Sequence, residues 1–213
     1  MINNNILKKE LNLNFTQDII NQLTIWEENF KSYNSHTNLM SKNDIEVLFE
    51  KHVFDSLAIS KYYNFKNHKI IIDVGTGGGF PSVILAICFK NKKIIANDSR
   101  IKKINFLKEI KEKLNLENLE ILYSRIEETK PLKVDLITSR AVGDTLKVFE
   151  LSKKHLTKNS EFIIYKSKLT NNEIQEFQKK YKKADFEIIS YKLPLKEDFK
   201  RNLIILKNAY DII

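Results

Sequence analysis

The chain has 213 residues, 42% of them hydrophobic, with a formal net charge of +9 and a pI near 9.3. That length suits one compact α/β unit and is short for two independent enzyme domains. No apolar run approaches the ~18 residues that cross a bilayer, and the one cysteine, Cys88, excludes an intrachain disulfide and a cysteine-based metal cluster.

Cys88 lies in the apolar stretch Ile84–Phe89, so a packing role is expected of it. The start, Met1–Glu10, lacks the apolar core and cleavage site of a signal peptide, and a cytoplasmic protein without a membrane partner is the expectation. The positive excess suits a polyanionic partner, because neutralised phosphates release counterions. The Lys, Asn and Ile bias of the whole chain is an alternative source of the same charge.

Up to about residue 66 the pattern is helical. Ile19, Ile20, Leu23, Trp26 and Phe30 recur at three-to-four spacing, and Trp26 and Tyr33 read as core side chains. A second helix is expected after Asn43 or Asp44 as its cap, with Ile45, Val47, Leu48, Val53, Leu57 and Ile59 as its apolar positions. From Lys69 the pattern changes. Ile70–Val74 is a short β-branched run of the kind buried on both faces of a sheet, and similar runs follow at Lys93–Asp98, Leu119–Tyr123, Val134–Thr138 and Phe162–Tyr165. Helical stretches alternate with them, at Pro81–Phe89, Ile101–Leu114, Asp144–His155 and Glu173–Tyr181. Phe186–Leu193 and Leu203–Lys207 then read as two strands with no helix between. The expectation is an α/β fold with a mostly parallel, doubly wound sheet that ends in an antiparallel pair. An N-terminal helical extension, residues 1–66, caps an α/β unit, residues 67–213, the two forming one compact body.

Four of the five glycines fall within Gly75–Gly79, between the first strand and a helix whose first turn holds Pro81. Glycine there permits positive φ and lets a ligand approach the backbone. In doubly wound folds this carboxyl end of the strand is where ligands bind. A dinucleotide fingerprint fails in both registers, with Phe80 or Ser82 where glycine or alanine is required, and no P-loop lysine follows. What remains is Asp73 followed by Gly75, Gly77 and Gly79, which resembles motif I of the Rossmann-like class I methyltransferases. Asp98 ends the next strand, where a carboxylate accepts hydrogen bonds from both hydroxyls of an adenosine ribose. Asp73 is better placed for the amino-acid end of the cofactor, through water. After the third strand comes Ser124–Glu127, and two readings stay open there: Ile126 flanks adenine, or Ser124 merely caps a short helical turn.

In chain order the motifs are Tyr33-Asn34 with Asn38-Leu39, Lys51–Ser56, Asp73–Pro81, Asp98-Ser99 with Lys102-Lys103 and Phe106-Leu107, Ser124–Glu128, Ser139–Ala141 and Lys166. Together they resemble the RsmG (glucose-inhibited division protein B) family from about Trp26 to Lys207. The resemblance implies S-adenosyl-L-methionine as cofactor and N7 of a guanine in small-subunit (16S) ribosomal RNA as the methyl acceptor, in a monomeric enzyme. It implies cofactor contacts at Gly75, Phe80, Ile126, Glu127 and Arg140, with Gly77, Gly79 and Asp98 in the same pocket. It also implies that Asn38, His52, Lys166 and Arg201 line an RNA-facing surface. Ser167, where the family often has glycine, and Asn202, where it often has histidine, depart from the pattern.

Guanine N7 carries a lone pair and no proton, so the reaction needs in-line positioning and no general base. The chain lacks the Asp/Asn-Pro-Pro-aromatic motif used on exocyclic amines and carries Ser139–Ala141 instead. Arg140, one of four arginines beside 32 lysines, is the candidate catalytic residue. Its guanidinium can pair bidentately with phosphate, guanine O6 or the cofactor carboxylate. His52 reads equally as a structural histidine or an RNA contact. Nothing calls for a metal. The rivals are a methyltransferase of another RNA or protein, and a non-catalytic ribosome-assembly factor.

Overall fold

The computed structural model describes residues 11, 13, 15–140, 143–168, 171–193 and 199–213. The Met1–Glu10 start and Ala141 of the Ser139–Ala141 motif lie outside them.

Helix α1 (Gln17–Thr37) begins at Thr16, whose Oγ1 accepts the Ile19 amide at 3.3 Å. Its buried face is Leu23, Trp26, Phe30 and Asn34, the three-to-four spacing of an amphipathic helix. It stops at Asn38, which takes the left-handed conformation at φ 52° that asparagine tolerates as a cap. Asn34 then clamps the turn, donating to Met40 O at 3.1 Å and accepting from Met40 N at 2.7 Å.

The second helical segment differs from expectation in its cap and in its continuity. Ser41, not Asn43 or Asp44, caps α2 (Lys42–Glu46): its Oγ accepts the Asp44 amide at 3.2 Å and donates to Asp44 Oδ2 at 2.8 Å. Asp44, the third residue of the helix, thus bonds the cap twice, through its amide and through its carboxylate. The segment is also broken in two. A π-helical turn, Leu48–Val53, separates α2 from α3 (Phe54–Tyr62), and His52 sits on it. Such turns insert a residue and re-aim the side chains around it.

The sheet contains β1 (Ile70–Val74), β2 (Lys93–Asp98), β3 (Leu119–Tyr123), β4 (Val134–Arg140), β5 (Leu156–Lys166), β6 (Phe186–Lys192) and β7 (Lys200–Leu206), in the order β3-β2-β1-β4-β5-β7-β6. The first five are parallel and the last pairs antiparallel, as expected. Strand β5 starts six residues before the expected Phe162. Its polar beginning conceals it, and a register irregularity between Val134 and Leu136 accommodates it. The helices between strands are α4 (Ser82–Cys88), α5 (Ile101–Lys113), α6 (Thr145–Ser152) and α7 (Asn171–Lys180).

Both faces of the sheet are covered, which explains the continuous β-branched runs. On one face Ile71, Ile94 and Ile163 join Trp26, Phe30, Leu57, Ile84 and Leu107 in a single core that includes α1 and α3. On the other, Ile72, Ile137 and Phe162 pack with Val148, Phe149 and Phe177 of α6 and α7. Cys88 packs against the first core, and burial pushes its thiol up to about 12. Among the described residues no helix is long and apolar enough to cross a membrane.

Candidate active site

The strand order reverses between β1 and β4, and the crevice above their carboxyl ends is where such sheets bind ligands. Two side chains and one loop arrive there together: the Gly75–Pro81 loop from β1, Asp98 from β2 and Arg140 from β4.

The loop is folded from beneath. Thr76 N–H donates to Asn97 O at 2.8 Å, and the Gly79 and Phe80 amides return to Thr76 O at 3.0 and 3.1 Å. Asp73 is fully enclosed under it, accepting from Ser82 N at 3.3 Å and Thr138 Oγ1 at 3.4 Å, and burial pushes its carboxyl up to about 7. Asp73 therefore props the loop and presents no surface toward a cofactor. Two glycines differ in what they do. A Cβ on Gly79, at φ 91°, would collide with the Val83 side chain, whereas one on Gly77, at φ 60°, would meet only Gly75 O at 4.0 Å. Gly79 is needed for packing, and Gly77 faces open space.

That space is a cleft of about 180 Å³ lined by Gly75, Gly77, Phe80, Arg100, Lys103 and Arg140, among others. Asp98 stands beside it, accepting the Gly77 amide at 3.0 Å. The open backbone at Gly77, a carboxylate for hydroxyls and cationic groups for a carboxylate fit an adenosine cofactor with an amino-acid tail. The 3₁₀ turn Ile126–Glu128 contributes no lining residue to this cleft, so the expected contacts at Ile126 and Glu127 are not brought to it here. Ile126 is buried in the second core and its carbonyl accepts Thr129 Oγ1 at 2.8 Å, while Glu127 is exposed. Ser124 does not cap the turn. Its amide donates to Asp98 O at 3.3 Å and its carbonyl accepts Asn97 Nδ2 at 3.0 Å, which stitches the loop to the end of β2.

A second cleft, about 190 Å³, is lined by His52, Asp55, Arg140, Tyr165, Lys166, Ser167 and Arg201. Three of the four expected RNA-facing residues meet here; Asn38 does not, and at the end of α1 only its neighbours Leu39 and Met40 reach the first cleft. Arg140 lines both. Its Nη1 donates to Asp55 Oδ2 at 3.2 Å, its Nη2 lies 2.9 Å from His52 Nδ1, and its Cζ sits 4.8 Å from the Phe80 ring centroid. Because a guanidinium has only donors, His52 Nδ1 must accept, which fixes the neutral ring. Burial, then the Arg140 charge, pushes the His52 pKa down to about 3.

Asp55 is the residue that sequence reasoning left without a role. Only 2% exposed, it also accepts Tyr191 OH at 2.5 Å and faces Arg201 Nε at 3.6 Å. A buried carboxylate between two arginines is the compensation that buried charge requires. Lys166 is held as well, by Glu173 at 2.7 Å and Gly143 O at 2.6 Å. Among the described residues, no group of three or more His, Cys, Asp or Glu side chains is arranged to hold a metal.

A family model described as rRNA small subunit methyltransferase G matches residues 19–204. The ribosomal RNA small subunit methyltransferase G of Mycoplasma capricolum is 35% identical over 188 residues, covering 87% of this chain and 81% of the relative. The protein of the same name from Lachnoclostridium phytofermentans is 31% identical over 209 residues, covering 94% and 86%. Among solved structures, an O-methyltransferase from Bacillus cereus in complex with SAH is similar with a TM-score of 0.59 at 15% identity, covering 95% of this chain and 96% of that one. A SAM-dependent methyltransferase from Aquifex aeolicus gives 0.58 at 20% identity, covering 78% and 94%. At these identities the structural likeness speaks for the fold.

Proposed function

The chain belongs to the rRNA small subunit methyltransferase G family, and from that premise we propose that it methylates N7 of a guanine in small-subunit ribosomal RNA, using S-adenosyl-L-methionine. The observation that carries the reading is Arg140, the side chain common to the two clefts. One cleft has the glycine backbone of a nucleoside cofactor site, with the Asp98 carboxylate beside it on the Gly77 amide; the other is lined by Arg201, Lys166 and His52 and suits a base with its phosphates.

When bound, the cofactor supplies an electrophilic methyl group on a sulfonium. Gly75, Gly77 and Phe80 would hold it, with Asp98 on the ribose and Arg140 near the carboxylate. Guanine N7 attacks with its own lone pair, so the second cleft has to orient the base and exclude water. Its side chains agree with that task. His52 is neutral and already accepts from Arg140, and Asp55 is committed to Arg140, Tyr191 and Arg201, so neither is offered as a general base. A guanidinium has five N–H groups, so Arg140 keeps donors for guanine O6 while leaving N7 unprotonated. The same reading has the enzyme act as a monomer in the cytoplasm.

The test uses labelled S-adenosylmethionine and small ribosomal subunits from cells lacking this gene, comparing wild type with Arg140→Ala. Label is expected in N7-methylguanosine, and the variant is expected to lose about 10²-fold or more in rate, as for other positioned donors. No transfer to subunits or to naked RNA, with S-adenosylhomocysteine binding confirmed, would overturn the proposal.

A further inference from the structure

Asp98 is 3% exposed and accepts four hydrogen bonds. The Gly77 amide reaches Oδ2 at 3.0 Å, and the Arg100 amide reaches Oδ1 at 2.9 Å. The Arg100 side chain supplies the other two, Nε to Oδ1 at 3.2 Å and Nη2 to Oδ2 at 3.3 Å. An ionised carboxylate has about four lone-pair sites, so the set is full. A ribose diol asking for both oxygens has to displace two donors.

The two amides belong to the glycine loop and to the turn into α5, and neither moves without refolding its element. The guanidinium can leave. Its side chain is 65% exposed, and an ion pair so open to water is weakly held. It supplies two N–H groups, the same number of donors as the two ribose hydroxyls. Lysine, with a single ammonium, would not span both oxygens in this way, and the chain uses arginine at only four positions.

We propose that the cofactor ribose exchanges with Arg100 on Asp98, and that the released guanidinium becomes a phosphate ligand for the RNA, so that cofactor binding strengthens RNA binding. This rests on the reading of Asp98 as the ribose carboxylate. Arg100 is suited to its second role by position. It lines the same cleft as Arg140, it is followed by the exposed Ile101 and Lys102, and a planar guanidinium pairs with phosphate bidentately. Lys103, the other cation of that cleft, is tied to Leu39 O at 2.6 Å and does not compete.

Two measurements test the exchange, on wild type, Arg100→Ala and Arg100→Gln. In calorimetry with S-adenosylhomocysteine, both variants bind about two- to five-fold tighter than wild type, the gain from an exposed ion pair that no longer has to break. Affinity for small-subunit ribosomal RNA is then followed over a salt series, with and without saturating S-adenosylhomocysteine. Wild type tightens several-fold with the ligand and its salt dependence steepens by about one phosphate contact; the variants show neither change. Weaker S-adenosylhomocysteine binding by the variants, or a ligand-linked RNA gain that survives in them, would overturn the proposal. RNA affinity that never changes with the ligand would overturn it too. Wild type that binds no RNA in either state would remove the ribosomal reading along with the phosphate role, while the calorimetry still decides the exchange on Asp98.

Discussion

Arg140 and Asp55 meet at 3.2 Å, 85 residues apart in the chain, so a carboxylate from the N-terminal helices fixes the side chain that walls both clefts. Removing one partner of a buried pair is costly because the other keeps its charge. Asp55→Ala is expected to destabilise the fold by about 3–5 kcal/mol, read from urea unfolding. Loss of less than ~1 kcal/mol would mean that water or Glu side chains take over its role.

His52 and Asp73 pull the pH dependence of stability in opposite directions. The folded pKa of His52, about 3, lies below its ordinary 6.5, so its contribution is complete above pH 6.5 and is lost as pH falls toward 3. The folded pKa of Asp73, about 7, lies above its ordinary 3.8, so its contribution is complete below pH 3.8 and is lost as pH rises through 7. Each tenfold change in proton affinity between the folded and unfolded chain corresponds to about 1.4 kcal/mol. His52→Gln, which keeps an acceptor for Arg140, should therefore steepen the loss of stability with rising pH, and Asp73→Asn should remove it. Unfolding curves between pH 4 and 8 measure both; identical slopes in all three proteins would refute the assignment.

Gly77 and Gly79 separate binding from folding. Gly79→Ala places a methyl group into Val83 at a positive φ and should destabilise by about 2–4 kcal/mol. Gly77→Ala meets open space, so its cost in stability is the left-handed backbone's alone, about 1–2 kcal/mol. Its effect belongs in the cleft, as weaker S-adenosylhomocysteine binding by about tenfold or more in calorimetry.

Glu173 holds Lys166 and also accepts the Thr145 amide at 2.8 Å. The same Oε1 faces both, so Glu173→Gln keeps that oxygen for Thr145 while removing the negative charge that neutralises the Lys166 ammonium. RNA affinity should rise a few-fold, with a salt dependence steeper by about one contact. An unchanged salt series would remove Lys166 from the RNA-facing set.

The parallel part of the sheet was legible because a strand buried on both faces is a continuous β-branched run, and Ile70–Val74 and Lys93–Asp98 have the bounds expected of them. The glycine loop was legible for a similar local reason. The first half of strand β5 was not, since Thr157–Glu161 is polar and pairs through a register irregularity that leaves no local pattern, whereas Phe162–Tyr165 was read as a strand. The Ser41 cap had its signal, a serine three residues before an acid, but the apolar periodicity that starts at Ile45 masks it. Asp55 and Arg100 are different. Their roles depend on Arg140, Tyr191 and Arg201 in one case and on a full carboxylate in the other, and such contacts are set by the fold alone.

Phe30 lies beneath the glycine loop. Its ring centroid is 5.3 Å from that of Phe80, and a Cβ on Gly78 would come within 2.8 Å of its ring. A chain begun after residue 66 would take the floor out from under a loop it never touches covalently. Loss-of-function substitutions should therefore accumulate along the inward stripe of α1, at Trp26 and Phe30, as densely as at the loop itself, and a selection for inactive alleles would find the cofactor site partly encoded about 50 residues upstream of it.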